Sequence, residues 1–143
     1  MFAPSKEEVR RFFCETWRKA RSGEVLTPME AMAHDWMLQH PEYETELSDL
    51  DTALAADYDA GHGKANPFLH LSMHLSISEQ ISIDQPPGIR EAFLQLAERR
   101  GSEHDAHHEI MECLGEMLWA SQRQGLPPDG NAYVECVRRR AQR

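Results

Sequence analysis

The chain has 143 residues, of which 41% are hydrophobic and 27% are charged, an ordinary composition for a globular protein. A chain of this length fits one domain and buries roughly 68% of its unfolded surface, so we expect a single domain over residues 1–143. The formal net charge of −9 repels phosphate backbones and excludes a nucleic-acid partner from our expectations.

The start of the chain and its cysteines predict a cytoplasmic location. Residues 1–8 lack the apolar core of a signal peptide, and no apolar stretch is long enough to span a bilayer. Cys14, Cys113 and Cys136 are odd in number and form no Cys-x-x-Cys pair, which is typical of reduced thiols. We therefore expect free cysteines, with Cys113 as a small core residue, and no membrane partner.

Three helices are predicted in the first part of the chain. The first begins at a capping box, Ser5 with Glu8, and ends at Gly23. The second runs from Thr27, with a proline at its first position, to about residue 40. A third runs from residue 41 through residue 54, and the glycine-containing segment 57–65 is predicted to be a loop.

Four more helices are predicted in the second part. Asn66 with the following proline caps a helix that reaches about Ile83, and further helices are expected at about 89–100, 102–124 and 132–140. No segment shows the alternation that is typical of a strand. The predicted fold class is therefore all-α, a compact bundle of about six to seven helices.

Two of these helices carry histidines four residues apart, a spacing that places both rings of a pair on one face. His70 and His74 form the first pair, and His104 and His108 form the second, which Glu112 extends by one more turn. Each histidine face continues into an apolar stripe. We therefore expect both pairs to point into the interior.

Such pairs indicate a metal site, because imidazoles one helical turn apart can bind the same ion. His40 and Glu44, on either side of Pro41, would bring the inventory to five histidines and two carboxylates, enough for one ion or two. Imidazole suits zinc, iron, copper or nickel, and a carboxylate favours zinc, iron or manganese. We predict a divalent metal ion, with zinc or iron first and manganese or nickel next. The predicted ligands are His70, His74, His104, His108 and Glu112, followed by His40 and Glu44.

The other histidines have ordinary explanations. His34 is expected at the surface, His62 in a solvated loop, and His107 at the boundary between buried and exposed faces. The tryptophans, including Trp119, are expected to anchor the core.

An alternative is a structural role, in which buried histidines hydrogen-bond to one another and hold the helices in register. The protein would then be a non-enzymatic interaction module for an unidentified partner or for a second copy, so a homo-oligomer stays open. A pH sensor is a third alternative that depends only on the number of histidines. No phosphate-binding loop, serine elbow or zinc-protease signature is present, so no reaction is predicted and the enzyme question stays open.

Three stretches resemble an uncharacterised bacterial family, domain of unknown function 1841. They are Asn66-Pro-Phe-Leu-His-Leu-Ser-Met-His74, the segment 104–116 with Trp119, and Leu26-Thr-Pro followed by His40-Pro-Glu-Tyr43. The resemblance covers nearly the whole chain. It implies a small, helical, cytoplasmic bacterial protein and brings no activity with it.

The histidine pairs are also similar to those of hemerythrin-like metal bundles. His70-x-x-x-His74 matches one hemerythrin pair type and His108-x-x-x-Glu112 matches the other, in the opposite chain order. This similarity implies related chemistry and not shared ancestry.

Overall fold

The computed structural model describes residues 5–56, 58 and 66–143. The predicted loop at 57–65 therefore lies outside the described residues, apart from Tyr58, and so does His62. Within the described ranges the chain is helical and contains no strand, which confirms the all-α fold class. None of the helices described is both long and apolar enough to cross a membrane.

The described residues form eight α-helices and one short 3-10 helix. In chain order they are α1 (Lys6–Arg21), α2 (Pro28–Leu38), the 3-10 helix (Pro41–Tyr43), α3 (Glu44–Ser48), α4 (Leu50–Ala55), α5 (Pro67–Ile83), α6 (Ile89–Arg100), α7 (Glu103–Gln124) and α8 (Gly130–Ala141).

The helix starts agree with the sequence signals. The Ser5 side chain accepts a hydrogen bond from the Glu8 backbone N–H, and Thr27 with Glu30 forms both bonds of a capping box at the start of α2. The Asn66 side-chain oxygen accepts from the backbone N–H groups at positions 68 and 69 and so begins α5. These polar side chains satisfy N–H groups that have no partner within the helix.

The predicted third helix is divided into three pieces. Asp49 has extended backbone dihedrals, φ −132° and ψ 96°, and separates α3 from α4. Its side chain accepts a hydrogen bond from the Thr52 backbone N–H and caps α4. An aspartate in this position competes with continued helix formation, and this explains why there are more helices than predicted.

The described chain divides by its contacts into two units, Met1–Leu75 and Ser76–Arg143, and the division falls inside α5. The expectation of one domain stays a prediction. In the first unit α1 packs against α2, α3 and α4. Its core is made of buried apolar residues, which are Phe13, Cys14, Ala33, Trp36, Met37, Leu47, Ala53, Phe68 and Leu71.

In the second unit α6, α7 and α8 pack against one another. Ile89, Leu96, Ile110 and Val137 are fully buried. The buried Tyr133 hydroxyl donates a hydrogen bond of 2.6 Å to the side-chain oxygen of Gln80. This unit therefore has an apolar core of its own.

The buried face of α7 differs from the expected one. Its buried residues are Ala106, His107, Ile110, Met111, Cys113 and Leu114. The expectation that His107 lies at a boundary is wrong, because its ring is only 3% exposed.

The opposite side of α7 is exposed where a core residue was expected. Trp119, expected in the core, is 61% exposed. Arg123 lies over its ring, with the guanidinium carbon 5.1 Å from the ring centre. The helix is rotated relative to the expected stripe because α6 and α8 pack against the side that carries Ile110.

A disulfide joins α7 to α8 through Cys113 and Cys136. The expectation of reduced thiols is wrong for these two cysteines. Cys14 is free and buried, and burial raises the pKa of its thiol to about 11. Arg140 adds an ionic contact between the same helices, 2.8 Å from a carboxylate oxygen of Glu112.

The core of the second unit can be tested with two leucines on α6. Leu96 is 0% exposed, whereas Leu94 is 56% exposed. We expect Leu96→Ala to lower the free energy of unfolding by about 2–5 kcal/mol, since it removes buried methyl groups and leaves a cavity. Leu94→Ala is expected to change it by less than about 0.5 kcal/mol. Denaturant unfolding measures both, and equal effects would contradict the packing of α6.

Candidate metal centre

The site begins with two histidines of α5 that lie in the first unit. Because Asn66 sets the start of the helix, the spacing of four places His70 and His74 one turn apart on one face. His74 is fully buried and His70 is half-buried. Their Nε2 atoms lie 3.2 Å apart, so both rings point at the same place.

A third histidine reaches the same place from the segment after α2. His40 is 5% exposed, and its Nε2 atom lies 3.2 Å from the Nε2 atom of His74. Its backbone, with φ −130° and ψ 63°, leaves the helical region just before Pro41. The proline thus ends the helix and turns the His40 side chain toward α5.

The Nε2 atom of His74 has two neighbouring Nε2 atoms at the spacing of ligands around one ion. Zinc binds imidazole nitrogen at about 2.0–2.1 Å, which places neighbouring nitrogens about 3.3–3.4 Å apart in a tetrahedron and about 2.8–3.0 Å apart in an octahedron. The two observed separations of 3.2 Å lie between these values. His40 and His74, but not His70, belong to a group of described histidines whose ring nitrogens lie within 4.8 Å of one another and could hold a metal ion.

Hydrogen bonding sets the tautomer of His40. Its Nδ1 atom lies 3.0 Å from a carboxylate oxygen of Glu42. This hydrogen bond is the main reason that the pKa of Glu42 is lowered, so the carboxylate is ionised and can only accept. Nδ1 therefore donates this hydrogen bond to Glu42, and the Nε2 atom is the ring nitrogen that faces His74.

Aromatic rings support the imidazoles from the side. Trp36 stacks on His74 with ring centres 3.9 Å apart and planes 14° apart. Tyr43 stacks on His40 at 5.1 Å and 13°, and burial raises the pKa of its hydroxyl. These contacts restrict rotation of the two rings and hold their nitrogens in place.

The second unit contains the other predicted pair. The rings of His104 and His108 lie 4.5 Å apart on α7. His104 is half-buried and His108 is exposed. The adjacent His107 packs edge-on against Phe93, and burial, with smaller contributions from His104 and His108, lowers its pKa to about 3.

The predicted carboxylates are engaged elsewhere. Glu112 lies 2.8 Å from Arg140 with its side chain 59% exposed, and Glu44 lies 3.2 Å from Arg21 with its side chain 58% exposed. Each would have to leave its arginine to bind an ion. The carboxylate that does contact a histidine is Glu42, which the sequence analysis missed, although its position two residues after His40 is a readable signal.

These features define an all-helical protein with a buried histidine cluster in its first unit. The chain belongs to the family described as domain of unknown function DUF1841, whose model matches residues 5–139. This confirms the resemblance to that family. No curated protein and no solved structure matched the chain. The similarity to hemerythrin-like bundles therefore stays a prediction.

The tautomer of His40 is open to direct measurement. In metal-free protein at mildly alkaline pH, we expect long-range proton–nitrogen NMR to find the proton on Nδ1, because the Glu42 carboxylate accepts it. Glu42→Gln should reduce this preference. A proton on Nε2 in the unmodified protein would contradict the described orientation of the ring.

Proposed function

We propose that this protein binds a divalent metal ion through imidazole nitrogens, with zinc or iron as the ion that suits the site best. His40, His70 and His74 are the ligands of the first unit. His104 and His108 are the proposed ligands on α7 of the second unit, as their spacing predicts. Glu44 and Glu112 are ligands only if each leaves the arginine that it contacts.

One observation carries the proposal, namely that the Nε2 atom of His74 is 3.2 Å from two other Nε2 atoms. A ring nitrogen has either one proton or one lone pair in the plane of the ring. It therefore cannot make two full hydrogen bonds to His40 and His70 at the same time. A cation bound beside the Nε2 atom of His74 would let each of these nitrogens act through its lone pair.

The contact between His40 and Glu42 also supports metal binding. Histidine ligands usually donate their second ring N–H to a carboxylate or a carbonyl, and this bond fixes the tautomer and increases the basicity of the ligand nitrogen. Glu42 is placed to accept such a bond from Nδ1.

The choice of ion follows from the donor atoms. A set made of imidazoles suits zinc, iron, nickel or copper, whereas manganese prefers oxygen ligands. Zinc and iron remain the first candidates, nickel comes next, and manganese would require Glu44 or Glu112. An ion with an open position could activate water, but no residue indicates a substrate, so we propose no reaction.

The structural alternative has some support from the same distances. A separation of 3.2 Å also suits an N–H···N hydrogen bond, so the Nε2 atom of His74 could bond to that of His40 and join α5 to the segment after α2. The protein would then need no ion and would act as an interaction module.

Metal analysis separates the two functions. We expect protein purified without an affinity tag to contain about one ion or more per chain, or to take up zinc or iron(II) to that level after treatment with a chelator. His74→Ala should abolish this uptake, because it removes the central ligand. Elemental analysis and isothermal titration measure the stoichiometry.

His34→Ala is the matched control, since His34 lies beside Trp17 and is not a predicted ligand. It should retain the metal content of the unmodified protein. If the unmodified protein takes up no more ion than His74→Ala does, the metal-binding proposal is wrong and the hydrogen-bonded network is favoured.

A second variant tests the role of Glu42. We expect Glu42→Gln to weaken metal affinity by about 10–100-fold while the stoichiometry is retained, because the variant loses the charged acceptor that orients His40. Glu24→Gln, which changes an exposed carboxylate bound to Arg18, should leave the affinity unchanged. Equal affinities in both variants would contradict the orienting role of Glu42.

A further inference from the structure

The disulfide of the second unit borders an open cleft. Cys113 and Cys136 both line a cavity of about 290 Å³ between α7 and α8. Cys136 is 7% exposed and Cys113 is 1% exposed, so Cys136 is the more accessible of the two residues. Both residues are buried, so the cleft that they line is the route by which a small thiol would reach a sulfur atom without unfolding of the protein.

A carboxylate lies next to this sulfur. An oxygen of Glu116 is 3.5 Å from the Sγ atom of Cys136, and Glu116 also lines the cleft. The other carboxylate oxygen of Glu116 is 4.0 Å from Arg140. In the reduced protein the Cys136 thiol could donate a hydrogen bond to Glu116, and the negative charge would favour the thiol over the thiolate.

We propose that Cys113 and Cys136 form a reversible thiol–disulfide exchange site. A dithiol reduces the disulfide through this cleft, and Glu116 transfers a proton from the dithiol to Cys136. The site uses neither the histidine cluster nor a metal ion, so it stands independently of the proposed function. Because the disulfide joins α7 to α8, reduction removes the covalent link between these two helices.

The exchange begins when a thiolate of the dithiol attacks the Sγ atom of Cys136. The bond between the two cysteine sulfurs breaks, and its electron pair leaves on the Sγ atom of Cys113, which takes a proton from water. The second thiol of the reductant then attacks the reductant sulfur of the mixed disulfide. Glu116 takes the proton of that thiol and passes it to Cys136 as this sulfur leaves.

The balance of the reaction needs no other reactant. The dithiol loses two hydrogen atoms and becomes a disulfide, and Cys113 and Cys136 gain two hydrogen atoms and become thiols. The reverse reaction with an oxidised dithiol restores the protein disulfide.

The test uses the folded 143-residue chain in mixtures of reduced and oxidised dithiothreitol. Free thiols are alkylated, and peptide mass analysis assigns the label to each cysteine. We expect Cys113 and Cys136 to be oxidised and reduced together and reversibly, while Cys14 stays outside the exchange because the other two cysteines of the chain pair with each other. The proposal would be overturned if the disulfide reacted with dithiothreitol only after denaturant was added. It would also be overturned if Cys113 and Cys136 were free thiols in every mixture.

The role of Glu116 is tested on the reduced protein. We expect Glu116→Gln to increase the alkylation rate of Cys136 several-fold at neutral pH, since loss of the negative charge favours the thiolate. Glu135→Gln is the matched control, because Glu135 is exposed, precedes Cys136 and lies 3.5 Å from Arg138. If Cys136 is alkylated at the same rate in Glu116→Gln and in the unmodified protein, the proposed role of Glu116 is wrong.

Discussion

The ring of His74 is the constraint on which the histidine cluster depends. It is fully buried, it stacks on Trp36, and its Nε2 atom faces the Nε2 atoms of His40 and His70. A buried imidazole costs free energy unless its polar atoms have partners. The surrounding chain provides partners through two local devices, the four-residue spacing on α5 and the turn at Pro41. Each device is short, and together they bring two ring nitrogens to within 3.2 Å of the Nε2 atom of His74.

Helix α7 shows how contacts within the second unit determine which side chains face inward. The disulfide from Cys113 and the ion pair between Arg140 and Glu112 both join it to α8. These contacts orient the helix so that His107 and Ile110 are buried. His104 and His108 consequently lie toward the edge of the buried face, where an ion could reach them.

The caps made most helices predictable, because the N-cap side chains at Asn66 and Ser102 satisfy backbone N–H groups within a few residues. The rotation of α7 was not predictable from the histidine stripe, since a second apolar stripe through Ile110 and Cys113 competes with it. The disulfide was not predictable from the sequence either. Its two cysteines are 23 positions apart, and their pairing depends on how α7 packs on α8. Glu42 stands two residues after His40, a spacing that does not place two side chains on one face of a helix.

X-ray absorption spectroscopy of the zinc-loaded or iron-loaded protein tests the central claim most directly. The account predicts a first shell dominated by nitrogen, at about 2.0–2.1 Å for zinc, with the outer-shell scattering that is characteristic of imidazole. A first shell of sulfur at about 2.3 Å for zinc would contradict it. So would a shell of oxygen atoms without imidazole scattering, because the ion would then lie away from His74.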